Sequence, residues 1–335
     1  MIENKTSYSE EQLLGIAARN GNSKRPFVIV NKLQAKHIPA VPSETLAYFR
    51  QLGSLCAETC GKGEKVLVSG FAETATALGA IVAEQIPNAV YIHTTRETVS
   101  GKVPLVEFQE EHSHAVEQWL YCDLTIDRFD RIILVDDEIT TGKTCANLIC
   151  ALSGKVKSNV RYTIAALTFS GQLAFDFPCD TAYLHRIYSN EIIIPNINTC
   201  EPIIPSMSVQ SLERYSPEYL FGCHDILVLG TEECMLPALK FGEQLEQQGF
   251  AVCCHSTTRS PILPSEVFGY PLVSRGDIPS LYDVSRRTYV YNLRRYDAVV
   301  IVTDASPNQQ SEGYLCGALA EFGNDNISIS RCRCE

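Results

Sequence analysis

The chain has 335 residues, enough for two hydrophobic cores at the usual domain size of ~100–200 residues. At 45% hydrophobic and 20% charged it has the balance of ordinary globular material, and a net charge of −11 excludes bulk nucleic-acid binding, which needs a basic face. No apolar run approaches the ~20 residues of a membrane span, so neither a nucleic acid nor a membrane is an expected partner.

The polar opening MIENKTSYSEEQ does not read as a signal peptide, and a cytoplasmic location is expected. The first strand signal is PFVIV near Val28, followed by Lys36, His37, Ile38 and Pro39. A helical pattern over residues 44–59 leads to strand KVLVSG, which ends at Gly70. The turn Gly70, Phe71, Ala72, Glu73 and Thr74 then opens a second helical pattern over 74–85. Strand AVYIH near Tyr91 runs into Arg96, and residues 97–119 read as a long polar loop carrying Gly101, Lys102, Pro104, His112 and His114. Strand RIILV, a helix from CANLICAL and strand YTIAALTF near Ile164 complete a first domain over residues 1–187. Strands alternating with helices predict an α/β fold with a mostly parallel sheet. Residues 188–222, with Pro195, Pro202, Pro205 and Pro217, read as a linker, and a second α/β domain over 223–335 restarts at Asp225 with DILVLG.

The densest chemistry lies in RIILVDDEITTGKT, residues 131–144. Ile132, Ile133, Leu134 and Val135 form the short apolar run of a parallel strand buried on both faces. Asp136 and Asp137 stand at its carboxyl end, where open α/β sheets place their ligands. Two adjacent ionised carboxylates repel and call for hydroxyl donors or a cation. Thr140, Thr141, Gly142, Lys143 and Thr144 set hydroxyls and backbone N–H groups at a helix N-terminus, a seat for phosphate. Carboxylates for hydroxyls beside a phosphate seat describe a ribose 5-phosphate. Gly142, Lys143 and Thr144 also imitate the end of a P-loop, but that motif needs a glycine where this chain has Asp137.

The stretch VDDEITTGKT resembles the phosphoribosyl-pyrophosphate (PRPP) motif of type I phosphoribosyltransferases. The resemblance implies that family's α/β fold, a PRPP substrate with an unidentified small-molecule acceptor, and Mg²⁺ held near Asp136 and Asp137, directly or through water. It gives Asp136 and Asp137 the ribose hydroxyls, and residues 140–144 the 5′-phosphate. Glu138 departs from the family's aliphatic residue, either adding charge near the metal or pointing away. Thr140 departs from the aspartate of the purine-salvage branch, which makes hypoxanthine or guanine a poor first acceptor. Gly70, Phe71, Ala72, Glu73 and Thr74 fall at the family's pyrophosphate loop, or form a plain strand-to-helix turn. Arg96 would neutralise pyrophosphate or make a surface ion pair. The polar stretch 97–119 corresponds to the family's mobile loop, within which His112 and His114 would protonate the leaving group, read the acceptor, or be structural.

The second half repeats the first in outline. ILVLG ends at Gly230 with Glu233 three residues on, as Gly70 is followed by Glu73; AVCC leads to His255, Ser256, Thr257, Thr258 and Arg259, as AVYIH leads to His93, Thr94, Thr95 and Arg96. AVVIVTD matches RIILVDD, except that Thr303 meets Asp136 and SPNQQSEG meets the threonine loop. Either the second domain is a degenerate duplicate of the first, or two Rossmann-like patterns have converged. Thr258, Arg259, Ser260 and Pro261 resemble the signature of the TRSP domain, which follows a phosphoribosyltransferase domain in a bacterial family associated with tellurium-resistance and stress gene clusters. Thr258, Arg259 and Ser260 would make an anion contact, or Arg259 an internal salt bridge. By analogy with orotate-type dimers, the TRSP copy would complete the first domain's site within one chain; a homodimer is the other arrangement. Function follows as phosphoribosyl transfer, with a PRPP-sensing regulator and a pyrophosphate- or phosphate-dependent cleaving enzyme as the alternatives. The fourteen cysteines lack the paired spacing of a zinc site and read mostly as small buried hydrophobes.

Overall fold

The computed structural model describes residues 2–3, 8–20, 25–109, 117–188, 192–208 and 212–332. In chain order the elements are β1 (Ile2–Glu3), α1 (Glu10–Leu13), β2 (Leu14–Ala18), β3 (Phe27–Asn31), α2 (Pro42–Glu58), β4 (Val66–Gly70), α3 (Thr76–Glu84), β5 (Val90–Thr95), β6 (Val106–Gln109), β7 (Glu117–Leu120), β8 (Arg131–Ile139), α4 (Lys143–Leu152), β9 (Arg161–Phe169) and β10 (Asp180–Arg186). They continue with β11 (Glu213–Arg214), β12 (Asp225–Gly230), α5 (Leu236–Gln247), β13 (Ala251–Ser256), β14 (Arg275–Pro279), β15 (Arg287–Tyr291), β16 (Ala298–Thr303), α6 (Gln309–Glu321) and β17 (Ile327–Arg331). The chain forms two compact units, Met1–Glu10 with Ala47–Ile192 and Glu11–Leu46 with Ile193–Glu335. No helix among the described residues is long and apolar enough to cross a membrane.

The first unit is built on an eight-stranded sheet in the order β1-β10-β9-β8-β4-β5-β7-β6. Pairing is parallel from β1 through β5 and antiparallel where β7 joins β5 and β6. Ile132 through Val135 are 0% exposed, as a central strand covered on both faces requires. The chain steps from β4 to β5 on one side and then returns to β8 on the other, so the topological switch lies between β4 and β8.

Two expectations need correction. The stretch 97–119 is not simply a polar loop: β6 and β7 form a hairpin at the sheet edge, with Val106 and Phe108 buried and Glu107 and Gln109 exposed. That period of two is short enough to be lost between polar neighbours. The strand PFVIV is β3, and it does not join the parallel sheet. It pairs antiparallel with β2, and this hairpin packs Ala17 and Val30 against Ile262, Tyr270, Leu272 and Tyr291 of the second unit. Residues 11–46 therefore fold with the second half although they were expected in residues 1–187. Lys36, 0% exposed, donates to the Glu232 carbonyl at 2.7 Å, and Ala40 exchanges backbone hydrogen bonds of 2.9 and 2.8 Å with Cys254.

The second unit carries a five-stranded parallel sheet, β11-β17-β16-β12-β13, beside the antiparallel pair β14-β15. Part of the expected linker is laid onto this unit, since β11 pairs with β17 and Ile203 N–H donates to Arg275 O at 2.8 Å. The order β17-β16-β12-β13 repeats β9-β8-β4-β5. Registers agree: Gly70 faces His93 and Val135, and Gly230 faces Ser256 and Val302. In both copies the following helix starts six residues after that glycine. The agreement extends to one hydrogen bond. Ala72 N–H donates to Thr94 Oγ1 at 2.8 Å, and Glu232 N–H to Thr257 Oγ1 at 3.1 Å; in each copy the donor is the second residue after its glycine and the acceptor directly follows the strand residue that the glycine faces. Strand patterning alone does not demand such a contact, which favours duplication over convergence.

Candidate functional site

The sequence runs β8 straight through both aspartates, so Asp136, Asp137 and Glu138 are strand residues rather than loop residues. Successive side chains of a strand leave on opposite faces, and the paired carboxylates are thereby splayed rather than side by side. Asp136 Oδ1 accepts the N–H of Asp137 at 2.9 Å. Asp137 Oδ1 accepts the Thr74 hydroxyl at 2.8 Å, which ties the loop after β4 to the end of β8 across the switch point. Glu138 lies beside β9, where Ser170 Oγ donates to its Oε1 at 2.6 Å. Each of the three carboxylates is half-buried.

Thr140 and Thr141 form the turn, half-buried, and α4 begins at Lys143. Gly142 sits at φ +69°, the left-handed region, and a Cβ there would stand 2.6 Å from Leu173 and 2.8 Å from Phe175. It caps α4 without a side-chain hydrogen bond. Gly142 O accepts from Ala146 N–H at 2.9 Å, Thr141 O accepts from Ala174 N–H at 2.9 Å, and the segment after β9 thus braces the turn. Lys143 is exposed and Thr144 half-buried. The first turn of α4 offers backbone N–H groups to an anion, with the helix dipole adding partial positive charge.

The loop after β4 is held from three sides. Phe71 N–H donates to Val135 O at 2.9 Å, Ala75 N–H to Phe71 O at 3.0 Å, and Ala72 N–H to Thr94 Oγ1. Thr94 in turn donates to Gln118 Oε1, and Gln118 Nε2 returns to Ala72 O at 3.4 Å. Thr94 and Gln118 are 0% exposed. This clamp on Ala72 was not foreseen: Thr94 was noted only as part of a repeat, and Gln118 sits in a stretch read as loop. Gly70 is required by close approach, since a Cβ would meet Ala75 O at 2.5 Å. Glu73 is buried in this loop. Arg96 follows β5 directly and is half-buried. His112 and His114 lie outside the described residues.

The TRSP residues lie in the second unit, after β13. Arg259 Nε reaches Glu232 Oε2 at 2.5 Å, Arg286 reaches the same oxygen at 3.2 Å, and Ser280 donates to Oε1. Glu232, 1% exposed at φ +47°, is the residue missed here; counting three from the glycine had singled out Glu233, which stands 4.0 Å from Arg259. Thr258 exchanges backbone bonds of 2.9 and 2.7 Å with Tyr289, and Ser260 N–H donates to Thr258 Oγ1 at 3.2 Å. The signature thus braces the turn around an internal carboxylate–guanidinium cluster.

Residues 13–172 match the family described as Phosphoribosyl transferase, and residues 205–319 match the TRSP domain C terminus to PRTase_2. No curated protein matches the sequence. Among solved structures, the chain is similar to adenine phosphoribosyl transferase from Trypanosoma brucei in complex with AMP, pyrophosphate and ribose-5-phosphate, at 14% identity over 58% of this chain and 86% of that one, TM-score 0.41. It is also similar to the Giardia lamblia enzyme complexed with 9-deazaadenine, at 18% identity over 47% and 82%, TM-score 0.35. A Bacillus anthracis hypoxanthine-guanine phosphoribosyltransferase aligns at 14% identity over 45% and 81%, TM-score 0.30.

Proposed function

We propose that this chain, which belongs to the phosphoribosyltransferases that carry a carboxy-terminal TRSP domain, transfers the ribose 5-phosphate of PRPP to a small base-like acceptor and releases pyrophosphate. The observation that carries the proposal is the Thr74–Asp137 bond, which draws the loop after β4 and the acidic end of β8 together at the switch point of the sheet.

In this reading Asp136 and Asp137 receive the ribose hydroxyls and stabilise the positive charge that grows at C1′ as its bond to pyrophosphate loosens. The amides and hydroxyls of residues 140–144 receive the 5′-phosphate at the start of α4. Pyrophosphate meets the loop at Thr74, whose amide is not drawn into the bonds that fix Phe71, Ala72 and Ala75. Arg96 contributes a guanidinium to the same anion. Thr94 and Gln118 act one step removed, as positioning residues for that loop.

Mg²⁺ fits these residues as an ion that arrives with the substrate. Asp136 and Asp137 supply hard oxygens, and no group of three or more His, Cys, Asp or Glu among the described residues is arranged to hold a metal. Mg²⁺ is ordinarily held by one or two carboxylates together with phosphate oxygens. When bound it neutralises charge on the leaving pyrophosphate.

Exchange of labelled pyrophosphate into PRPP, run with a panel of candidate acceptors, tests the reading. Asp137→Asn keeps an oxygen for Thr74 but removes the charge, and exchange should fall by about 100-fold, the scale of losing one preorganised electrostatic contact, with the melting temperature held. Tight PRPP binding with no exchange for any acceptor would make the chain a sensor instead.

A further inference from the structure

The carboxyl end of the second sheet holds a pair of thiols that the reading above does not use. Cys234 lies in the loop after β12, its N–H bonded to Thr231 O at 2.8 Å. Cys332 follows β17 directly, its N–H bonded to Thr303 O at 2.8 Å. Between them stands the end of β16, which pairs with both β12 and β17. Thr231 Oγ1 donates to Thr303 Oγ1 at 2.7 Å, so the strand ends are stitched together. This stitching brings the two cysteine side chains within interaction range of each other, although 98 positions separate them in sequence. Both sulfurs are free thiols, Cys234 buried and Cys332 half-buried.

We propose that Cys234 and Cys332 form a reversible dithiol–disulfide site oxidised by peroxides, with Cys332 as the attacking sulfur and Cys234 as the resolving one. The assignment of roles follows exposure: the attacking sulfur must be reached by oxidant, and the resolving sulfur need only reach its partner. The Cys332 thiolate attacks one peroxide oxygen. An S–O bond forms, the O–O bond breaks, and hydroxide leaves to become water on taking a proton. Cys234 then attacks the sulfenic sulfur. An S–S bond forms, the S–O bond breaks, and water leaves with the Cys234 proton. Two thiols lose two electrons in all, and one peroxide is reduced to two waters.

The electrostatics agree with this order. The hydrogen bond from Cys234 holds the Cys332 thiol low, at about 7, against burial and the nearby Asp304 carboxylate, which both push it up. Cys234 is held protonated by the same bond first, then by burial and by Asp304. Tyr282, whose hydroxyl donates to Asp304, is also pushed up and stays neutral. Elsewhere, Cys56 is lifted out of the reactive range by burial, and Cys60 is raised by the same cause. Their proximity therefore offers an internal control.

The test uses the full chain. Under hydrogen peroxide at pH 7, peptide mapping should recover a Cys234–Cys332 linkage two hydrogens lighter than the dithiol, and dithiothreitol should reverse it. Iodoacetamide should modify Cys332 with a midpoint near 7 and well ahead of Cys60. Cys234→Ala should trap a dimedone-reactive sulfenic acid at Cys332 and slow its alkylation at pH 6.5 by about tenfold, as the thiol returns toward the ordinary ~8.5. Cys332→Ser, a change at a half-buried position, should abolish both linkage and sulfenic acid. Failure of the wild-type chain to form this linkage, or alkylation of Cys332 no faster than that of Cys60, would overturn the proposal whether or not the variants fold.

Discussion

Replacing Thr94 by valine isolates the clamp on the loop after β4. Valine matches threonine in shape but has no hydroxyl, so two buried groups lose their partner: Ala72 N–H, held at 2.8 Å, and Gln118 Oε1. Thr94 and Gln118 are 0% exposed and Ala72 is 4% exposed, so water cannot replace the lost oxygen without opening the edge of the sheet. An unsatisfied buried group costs ~1–3 kcal/mol, so two should cost ~2–6; a buried methyl returns ~1, leaving a destabilisation of ~1–5 kcal/mol. Urea unfolding followed by a probe in the first unit measures it. The same variant should weaken PRPP affinity, because Ala72 belongs to the loop that carries Thr74. Gln118→Leu completes a cycle, in which the double variant should cost less than the sum of the singles, since Thr94→Val has already stranded Gln118. Additive effects, or a Thr94→Val variant within ~0.5 kcal/mol of the parent, the range of an ordinary surface change, would refute the clamp.

Gly142→Ala should be destabilising by ~1–3 kcal/mol from backbone strain alone, with further cost from the 2.6 Å approach to Leu173; PRPP affinity should fall with it, as read by calorimetry. Arg259→Ala should destabilise the second unit by ~2–4 kcal/mol, somewhat below the usual loss of a buried partner because Arg286 still reaches Glu232. Removing Glu232 in the same variant should recover part of that loss, whereas an exposed anion contact would show no such rescue. Burial holds the His255 imidazole down at about 4, while it donates from Nε2 to Tyr291 O at 2.7 Å. Below its unfolded value of 6.5 the unfolded chain binds the proton more readily, so stability is full above that pH and declines between 6.5 and 4, by up to ~3 kcal/mol. Urea titrations at pH 7 and pH 5 should show the decline, and His255→Gln should flatten it.

The apolar run at Ile132 was legible because a fully buried parallel strand writes itself into contiguous residues, and that strand carries the aspartates to the carboxyl end of the sheet. The same reasoning read PFVIV as another parallel strand. An apolar run reports that both faces are covered, not by what, and β3 is covered by Ile262, Tyr270 and Tyr291 from far along the chain. The aspartate pair misled in a smaller way: adjacency in sequence suggested crowding, but strand geometry turns the two side chains apart. Gln118 was hidden because its partner lies 24 positions away, across a stretch whose polarity masks a hairpin. Glu232 was passed over for Glu233 because spacing from a glycine does not tell which of two neighbouring acids turns inward.

The repeated register gives the two sheet ends a common frame, and within it the copies differ in what fills the crevice. At the end of β8 the chain presents Asp136, while its counterpart Thr303 spends its oxygen on Thr231 Oγ1 and on Ala305 N–H at 3.1 Å. Asp137 and Asp304 both accept a hydroxyl, but from Thr74 in the first copy and from the larger Tyr282 in the second. Gly142 leaves the start of α4 without a side-chain cap, whereas Asn308 Oδ1 accepts from Ser311 N–H at 3.1 Å at the start of α6. Glu232 is neutralised by Arg259 and Arg286, so the loop after β12 is bound up in internal ion pairs. At Asp136 and at the start of α4, which the proposed function gives to the sugar phosphate, the second copy satisfies the equivalent groups with its own side chains. A chain that arose by duplication would then keep one sugar-phosphate grip, and Asp304→Asn, unlike Asp137→Asn, should leave PRPP binding intact.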